Sequence, residues 1–293
     1  MLFGIWLTRM MCSRSDKKRD RGLTVPEDIQ VLTDIAYGGE SNWQVLDICR
    51  PEGVQGRLPV IVSFHGGGWV YGDKEVYKYY CMSLAQHGYA VIDPSYRLAP
   101  EYPFPAGLED MCNVFRFAAE NADKYGFDTE NIFAVGDSSG GMGLAAFACL
   151  VTDKVYAERL GIDPPEGIHL NAIGLNCARF TTKGKEEIFR GVIPEGKERY
   201  IELLHIPDHI TAEFPPCHII TADDDFLKDE PQELIPILEK FGTEYRYKLY
   251  EAGNNRLGHV FHCNIKDERA RAANTDQLEF FRAHIKLTEH NGR

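Results

Sequence analysis

The chain has 293 residues, 44% of them hydrophobic, and a formal net charge of −12 from 32 basic and 44 acidic side chains. That balance argues against nucleic acid and anionic membrane surfaces as partners, and no stretch approaches the length of a membrane span. Eight scattered cysteines with no C-x-x-C spacing predict neither a disulfide framework nor a metal site, but small buried hydrophobes in a reducing, cytoplasmic setting.

Length suits one α/β domain over 1–293. Met1 to Leu7 is apolar, but its basic residues Arg9, Arg14, Lys17 and Lys18 follow it, the reverse of a secretory signal. The rough alternation of Trp43, Val45, Leu46 and Ile48 predicts an amphipathic edge strand. Val60 to Phe64 and Tyr89 to Ile92 read as buried strands. Leu108, Met111, Cys112, Phe115 and Ala119 recur at three- and four-residue steps and predict a helix with one face on the sheet. Ile132 to Val135 is all apolar, as in a parallel strand buried on both faces, and Met142 to Val151 reads as a buried helix. Further strands are expected near Ala172 to Leu175, Cys217 to Ile220 and Tyr245 to Tyr250. Phe180 to Pro207 has no strand pattern. No repeat or flexible linker interrupts the alternation, and a homodimer could form through the last strand.

Between the strand at Ile132 and its helix stands Gly136-Asp137-Ser138-Ser139-Gly140-Gly141. A strand turning directly into a helix requires glycines at 136 and 140, where side chains would collide, and leaves Ser138 exposed at the carboxyl edge of the sheet. Free N–H groups at the helix start favour a developing negative charge there. His65-Gly66-Gly67-Gly68-Trp69 ends another strand, and such a run can bring backbone N–H groups close to a substrate with nothing protruding. The oxyanion hole is therefore expected from Gly66, Gly67 and Ser139, with His65 bracing the loop by hydrogen bonds. An Asp225 followed by a His259 completes the order Ser, acid, His, in which an α/β-hydrolase threads its triad.

With these motifs, Tyr96-Arg97-Leu98-Ala99-Pro100-Glu101 and Asp225-Phe226-Leu227-Lys228-Asp229-Glu230, the chain resembles the hormone-sensitive-lipase-like family of bacterial esterases over roughly residues 58 to 265. The resemblance implies an α/β-hydrolase core with a mostly parallel sheet, a small helical cap, and hydrolysis of short-chain carboxylic esters. It places cap elements at about 1–27, with Leu2, Phe3, Ile5 and Trp6 folding over the pocket, and at 180–210, as a small helix or two. It favours Asp225, by its spacing to Leu227, Asp229 and Glu230, over Asp223 and Asp224, which read as loop hydrogen-bonders or solvated charges. Asp229 and Glu230 read as capping the next helix before Pro231. His259, after the loop Gly253-Asn254-Asn255, is favoured as base by its position after the acid, the small Gly258 before it and Phe261 at plus two, with His262 as the fallback. Three departures stand out: Ser95 before Tyr-Arg, Ser139 in place of alanine, and Val260 where a glycine usually follows the histidine. The expected activity is that of a serine carboxylesterase working through an acyl-enzyme on a small-molecule ester, without metal or organic cofactor. The alternatives are a deacetylase of acetylated carbohydrates on the same triad and a non-catalytic ligand-binding relative.

Overall fold

Among the described residues the chain forms eight strands: β1 Ile29–Ala36, β2 Val45–Pro51, β3 Leu58–Phe64, β4 Ala90–Pro94, β5 Phe127–Asp137, β6 Leu170–Asn176, β7 Cys217–Ala222 and β8 Tyr245–Tyr250. The helices are α1 Leu2–Asp20, α2 Lys74–Ala85, α3 Ala106–Glu120, α4 Ala122–Tyr125, α5 Ser138–Thr152, α6 Lys154–Leu160, α7 Arg199–Leu203, α8 Glu230–Phe241 and α9 Glu268–Ala283. This computed structural model describes residues 2–39, 42–251, 253 and 256–287, without the side chains of Leu2 and Phe3. Asn254 and Asn255 of the loop before His259 lie outside the described residues.

The strands form one sheet in the order β1-β2-β4-β3-β5-β6-β7-β8. Pairing is antiparallel between β1 and β2 and between β2 and β4, and parallel from β4 through β3 to β8. The β5 residues show why its sequence does not alternate. Ile132 and Ala134 pack into the core on the side of α3 and α5, while Phe133 and Val135 join Phe280 and Phe281 of α9 and Tyr77 to Ala85 of α2 on the other. Both faces exclude water, so both parities are apolar. Stacked pairs mark the two layers: Phe115 on Phe147 at 4.3 Å and Phe133 on Phe281 at 4.9 Å between ring centroids. Each such ring contributes about 1.5–3 kcal/mol through burial.

One strand departs from expectation. β2 is not the edge, because β1 pairs along it from Ile29–Pro51 to Ala36–Val45, so Leu46 and Ile48 are fully buried. β1 itself, IQVLTDIA, is half exposed and bulged between Leu32 and Ile35, which hides it from a search for apolar runs. Residues 180–210 hold α7 and two 3-10 turns, Glu186–Phe189 and Ile206–Asp208. All eight cysteines are free thiols, seven of them buried.

Candidate active site

At the carboxyl edge of the parallel strands, where open α/β sheets gather their sites, β5 passes into α5 within one residue. Ser138 takes φ +50°, a left-handed conformation that lifts its side chain out of the turn. The turn closes only without side chains on its flanks. A Cβ at Gly136 would stand 2.7 Å from the Gly140 carbonyl oxygen, and one at Gly140 would run into the carbonyl oxygens of Phe64 and His65.

The structure brings the three sequence-predicted groups into one hydrogen-bonded chain. Ser138 Oγ donates to His259 Nε2 at 2.9 Å, and His259 Nδ1 donates to Asp225 Oδ1 at 2.9 Å. Asp225 Oδ1 also accepts the Leu227 N–H at 2.8 Å. Burial pulls the Asp225 carboxyl upward, but its hydrogen bond from His259 and the facing charge outweigh that and hold it below the usual carboxylate value. It therefore stays anionic at neutral pH. The stability this lends is present above the unfolded carboxylate value and is lost as pH falls through the depressed native one. Its neighbours lie elsewhere: Asp224 faces Arg256 at 3.6 Å, and the Asp223 backbone joins Tyr250.

His262 is not in the chain. It is 1% exposed, packs edge-on to Tyr80 at 5.2 Å, and burial pushes its pKa down to about 3. His65 is equally internal. Its Nδ1 lies 2.8 Å from the Gly66 carbonyl oxygen, its ring stacks on Tyr96 at 4.1 Å, and burial lowers its pKa to about 4. A carbonyl only accepts, so the ring is neutral with its proton on Nδ1. Tyr96 donates its hydroxyl to the His65 carbonyl, and Arg97 is held by Asp110 and Glu109, so the Tyr-Arg motif ties the glycine loop to α3.

Gly66 corrects the reading of the loop. Its N–H donates to the Tyr77 hydroxyl at 3.1 Å, and that hydroxyl donates to Asp137 Oδ2 at 2.7 Å. The Gly66 donor is thus spent inside the wall, which removes it from the expected oxyanion set. Burial raises the Asp137 carboxyl to about 7, against the Tyr77 hydrogen bond that lowers it. Tyr77 carried no sequence signal, since KEVYKYYC reads as an ordinary amphipathic helix.

The departure at 260 is also resolved. Val260 has φ +51° and ψ +34°, so a β-branched residue occupies the left-handed position that glycine adopts freely, at a cost of about 1–2 kcal/mol. Val260→Gly relieves that strain whereas Val260→Ala only removes packing. In urea unfolding the glycine variant is expected to exceed the alanine variant by about 1–2 kcal/mol. Equal stability would mean the backbone there is unstrained.

A cavity of about 420 Å³ opens over Ser138 and His259. It is lined by the glycine loop, Trp69 and Met142, by Phe189, Val192 and Phe226, and by Thr8, Cys12, Ser15, Asp16 and Arg19 of α1. So α1 does reach the pocket, and among its described side chains it does so through Thr8, Cys12, Ser15, Asp16 and Arg19. Trp6 is 56% exposed, and Leu2 and Phe3 have no described side chains. The helix is pinned by Arg9 on the Val70 and Ala99 carbonyls and Glu101, and by the Tyr71 hydroxyl donating to Asp16.

Glu230 does more than cap α8. It is 4% exposed, and its carboxylate accepts the N–H groups of Phe180 and Thr181 at 2.8 and 2.9 Å, the Thr181 hydroxyl, Lys185 and Arg179. It anchors the start of the stretch that carries Phe189 and Val192. Asp225, His259 and the Cys177 thiol come within 4.8 Å of one another, as do Asp137, His262 and Cys263. The first set is committed to the hydrogen-bonded chain, and the second is buried.

A family model described as alpha/beta hydrolase fold matches residues 61–263. The chain belongs to that family, the hormone-sensitive-lipase-like one. The carboxylesterase NlhH of Mycobacterium tuberculosis is 33% identical over 199 residues, 61% of this chain and 60% of that protein. The versiconal hemiacetal acetate esterase of Dothistroma septosporum is 27% identical over 228 residues, 69% and 67% of the two chains. This chain thus spans about 60% of the length of the mycobacterial relative. Among solved structures, esterase B from Lactobacillus Rhamnosis superposes with a TM-score of 0.89 over 97% of this chain and 95% of that one, at 24% identity. That likeness establishes the shared fold.

Proposed function

We propose that this hydrolase cleaves short-chain carboxylic esters through an acyl-enzyme on Ser138. The observation that carries the reading is the chain Asp225–His259–Ser138, with both links at 2.9 Å, at the floor of a cavity. His259 Nε2 takes the Ser138 proton as Oγ attacks the ester carbonyl, while Asp225 holds the imidazole with its proton on Nδ1 and faces the cation that forms. The tetrahedral oxyanion meets the N–H groups of Ser139 and Gly67, with Gly68 next along the loop, each donor worth about 3 kcal/mol of barrier by analogy with other acyl-transfer sites. The imidazolium then protonates the departing alcohol, and water repeats the cycle to release the acid. These steps place the whole reaction on protein groups.

In this reading α1 and the 180–210 stretch serve as the cap of a single-domain hydrolase. A cavity of about 420 Å³ closed by Trp69, Met142, Phe189 and Val192 suits a small acyl group. Turnover of p-nitrophenyl esters from acetate to palmitate is expected to peak at butyrate or shorter; a peak at decanoate or longer would overturn the small-pocket reading. The eight free thiols support a reducing, cytoplasmic setting. A homodimer would pair through β8, an edge strand whose Tyr247 and Leu249 are 36% and 42% exposed, and equilibrium sedimentation tests it.

A further inference from the structure

Helix α1 carries two different faces. One row, Thr8, Cys12, Ser15, Asp16 and Arg19, lines the cavity. Residues 6, 10, 14, 17 and 21, and beside them 7, 11, 14, 18 and 21, follow the three- and four-residue steps of a single helical face continued one residue past α1. These positions are Trp6, Met10, Arg14, Lys17 and Arg21, with Leu7, Met11 and Lys18. Trp6, Leu7 and Met11 are 56%, 37% and 60% exposed, and Arg14, Lys17, Lys18 and Arg21 are all exposed. Among the described residues, Arg14, Lys17, Lys18 and Arg21 form no ion pair, whereas Arg19 is paired with Asp16 and Asp20 and Arg9 with Glu101. Four unpaired cations thus stand together on a chain whose overall charge is −12. The whole-chain balance that argues against an anionic surface does not hold for this helix.

We propose that the outward face of α1 docks on an anionic lipid surface. Apolar side chains alone would suit many partners. The combination decides the occupant: a tryptophan, a leucine and a methionine at one end of a helix whose other end presents four unpaired cations. Such a face lies flat, its apolar residues among the acyl chains and its cations on the lipid phosphates. Leu7 and Met11 stand in one row with Ser15, which lines the cavity, so docking sets the α1 wall of the cavity beside the lipid. None of this depends on hydrolysis.

Cosedimentation with vesicles tests it, using phosphatidylcholine alone and phosphatidylcholine with one third phosphatidylglycerol, at low and high salt. The protein is expected on the anionic vesicles only, with release by salt and a blue shift of Trp6 emission. Each basic side chain removed is expected to weaken partition about fivefold, and Arg14→Glu/Lys17→Glu/Lys18→Glu more than about a hundredfold. Trp6→Ser/Met11→Ser is also expected to lose binding. Both variants keep p-nitrophenyl acetate turnover and the far-ultraviolet dichroism of the parent, which shows that the fold is intact. The proposal is overturned by absence from anionic vesicles, by equal binding to neutral ones, or by undiminished binding of the charge-reversed variant. Self-association that needs Trp6 and Met11, without vesicle binding, would assign the face to a second copy and overturn it too.

Discussion

Asp225→Ala is expected to lower kcat about ten-thousandfold with little change in KM, because in the proposed mechanism the carboxylate acts in the transition state and not on the bound ester. Two losses are combined in that figure, and the geometry separates them. Asp225 Oδ1 accepts from both His259 Nδ1 and the Leu227 N–H. In Asp225→Asn those two donors both select the amide oxygen at that position, so the imidazole keeps its tautomer and its aim on Ser138 while the negative charge disappears. The asparagine variant is therefore expected to retain clearly more activity than the alanine variant, the gap measuring orientation and the remaining deficit measuring charge. Steady-state kinetics on one p-nitrophenyl ester decides it. Equal rates would mean that Leu227 does not fix the amide, and an unchanged kcat in both would remove Asp225 from the mechanism.

Glu230→Ala is expected to cost about 3–5 kcal/mol of stability, since it leaves buried donors and a half-buried cation without their acceptor. The N–H groups of Phe180 and Thr181 lose their partner, and Arg179 and Lys185 lose the carboxylate between them. The effect on turnover follows from position. The released stretch carries Phe189 and Val192, which form a wall of the cavity, while the Ser138–His259–Asp225 chain lies outside it. KM is expected to rise more than kcat falls. Glu230→Gln keeps one acceptor oxygen and is expected to fall between the two in a denaturant titration. Near-parent stability and KM for Glu230→Ala would mean that other contacts hold the stretch.

Much of the site was legible in the sequence because its geometry is written in short-range patterns. A buried strand, two glycines and a buried helix admit few arrangements, so Gly136 to Gly141 specified the turn at Ser138, while the choice of Asp225 and His259 among their neighbours came from motif spacing and local residues. What failed was long-range or side-chain dependent. Gly66 looked like its neighbours until Tyr77, eleven positions on, took its N–H. Glu230 looked like a cap, because nothing local announces that Phe180 and Thr181 will fold onto it. Val260 looked like a departure from the histidine loop, yet it adopts the left-handed backbone of a glycine. β1 escaped because its bulge breaks the alternation that reveals a strand, and without it β2 took the role of the edge. The opening apolar residues suggested a contribution to the pocket; among the described side chains of α1 it is a largely polar row, Thr8, Cys12, Ser15, Asp16 and Arg19, that lines it.

The most direct test is covalent. A fluorophosphonate reacts with a serine only where a neighbouring base removes its proton and an oxyanion hole receives the phosphoryl oxygen, so it interrogates the hydrogen-bonded chain as a unit. Incubation followed by peptide mass spectrometry is expected to find one adduct, on Ser138, absent from Ser138→Ala and strongly slowed in His259→Ala. An unlabelled protein, or an adduct on another residue with Ser138 intact, would contradict the account.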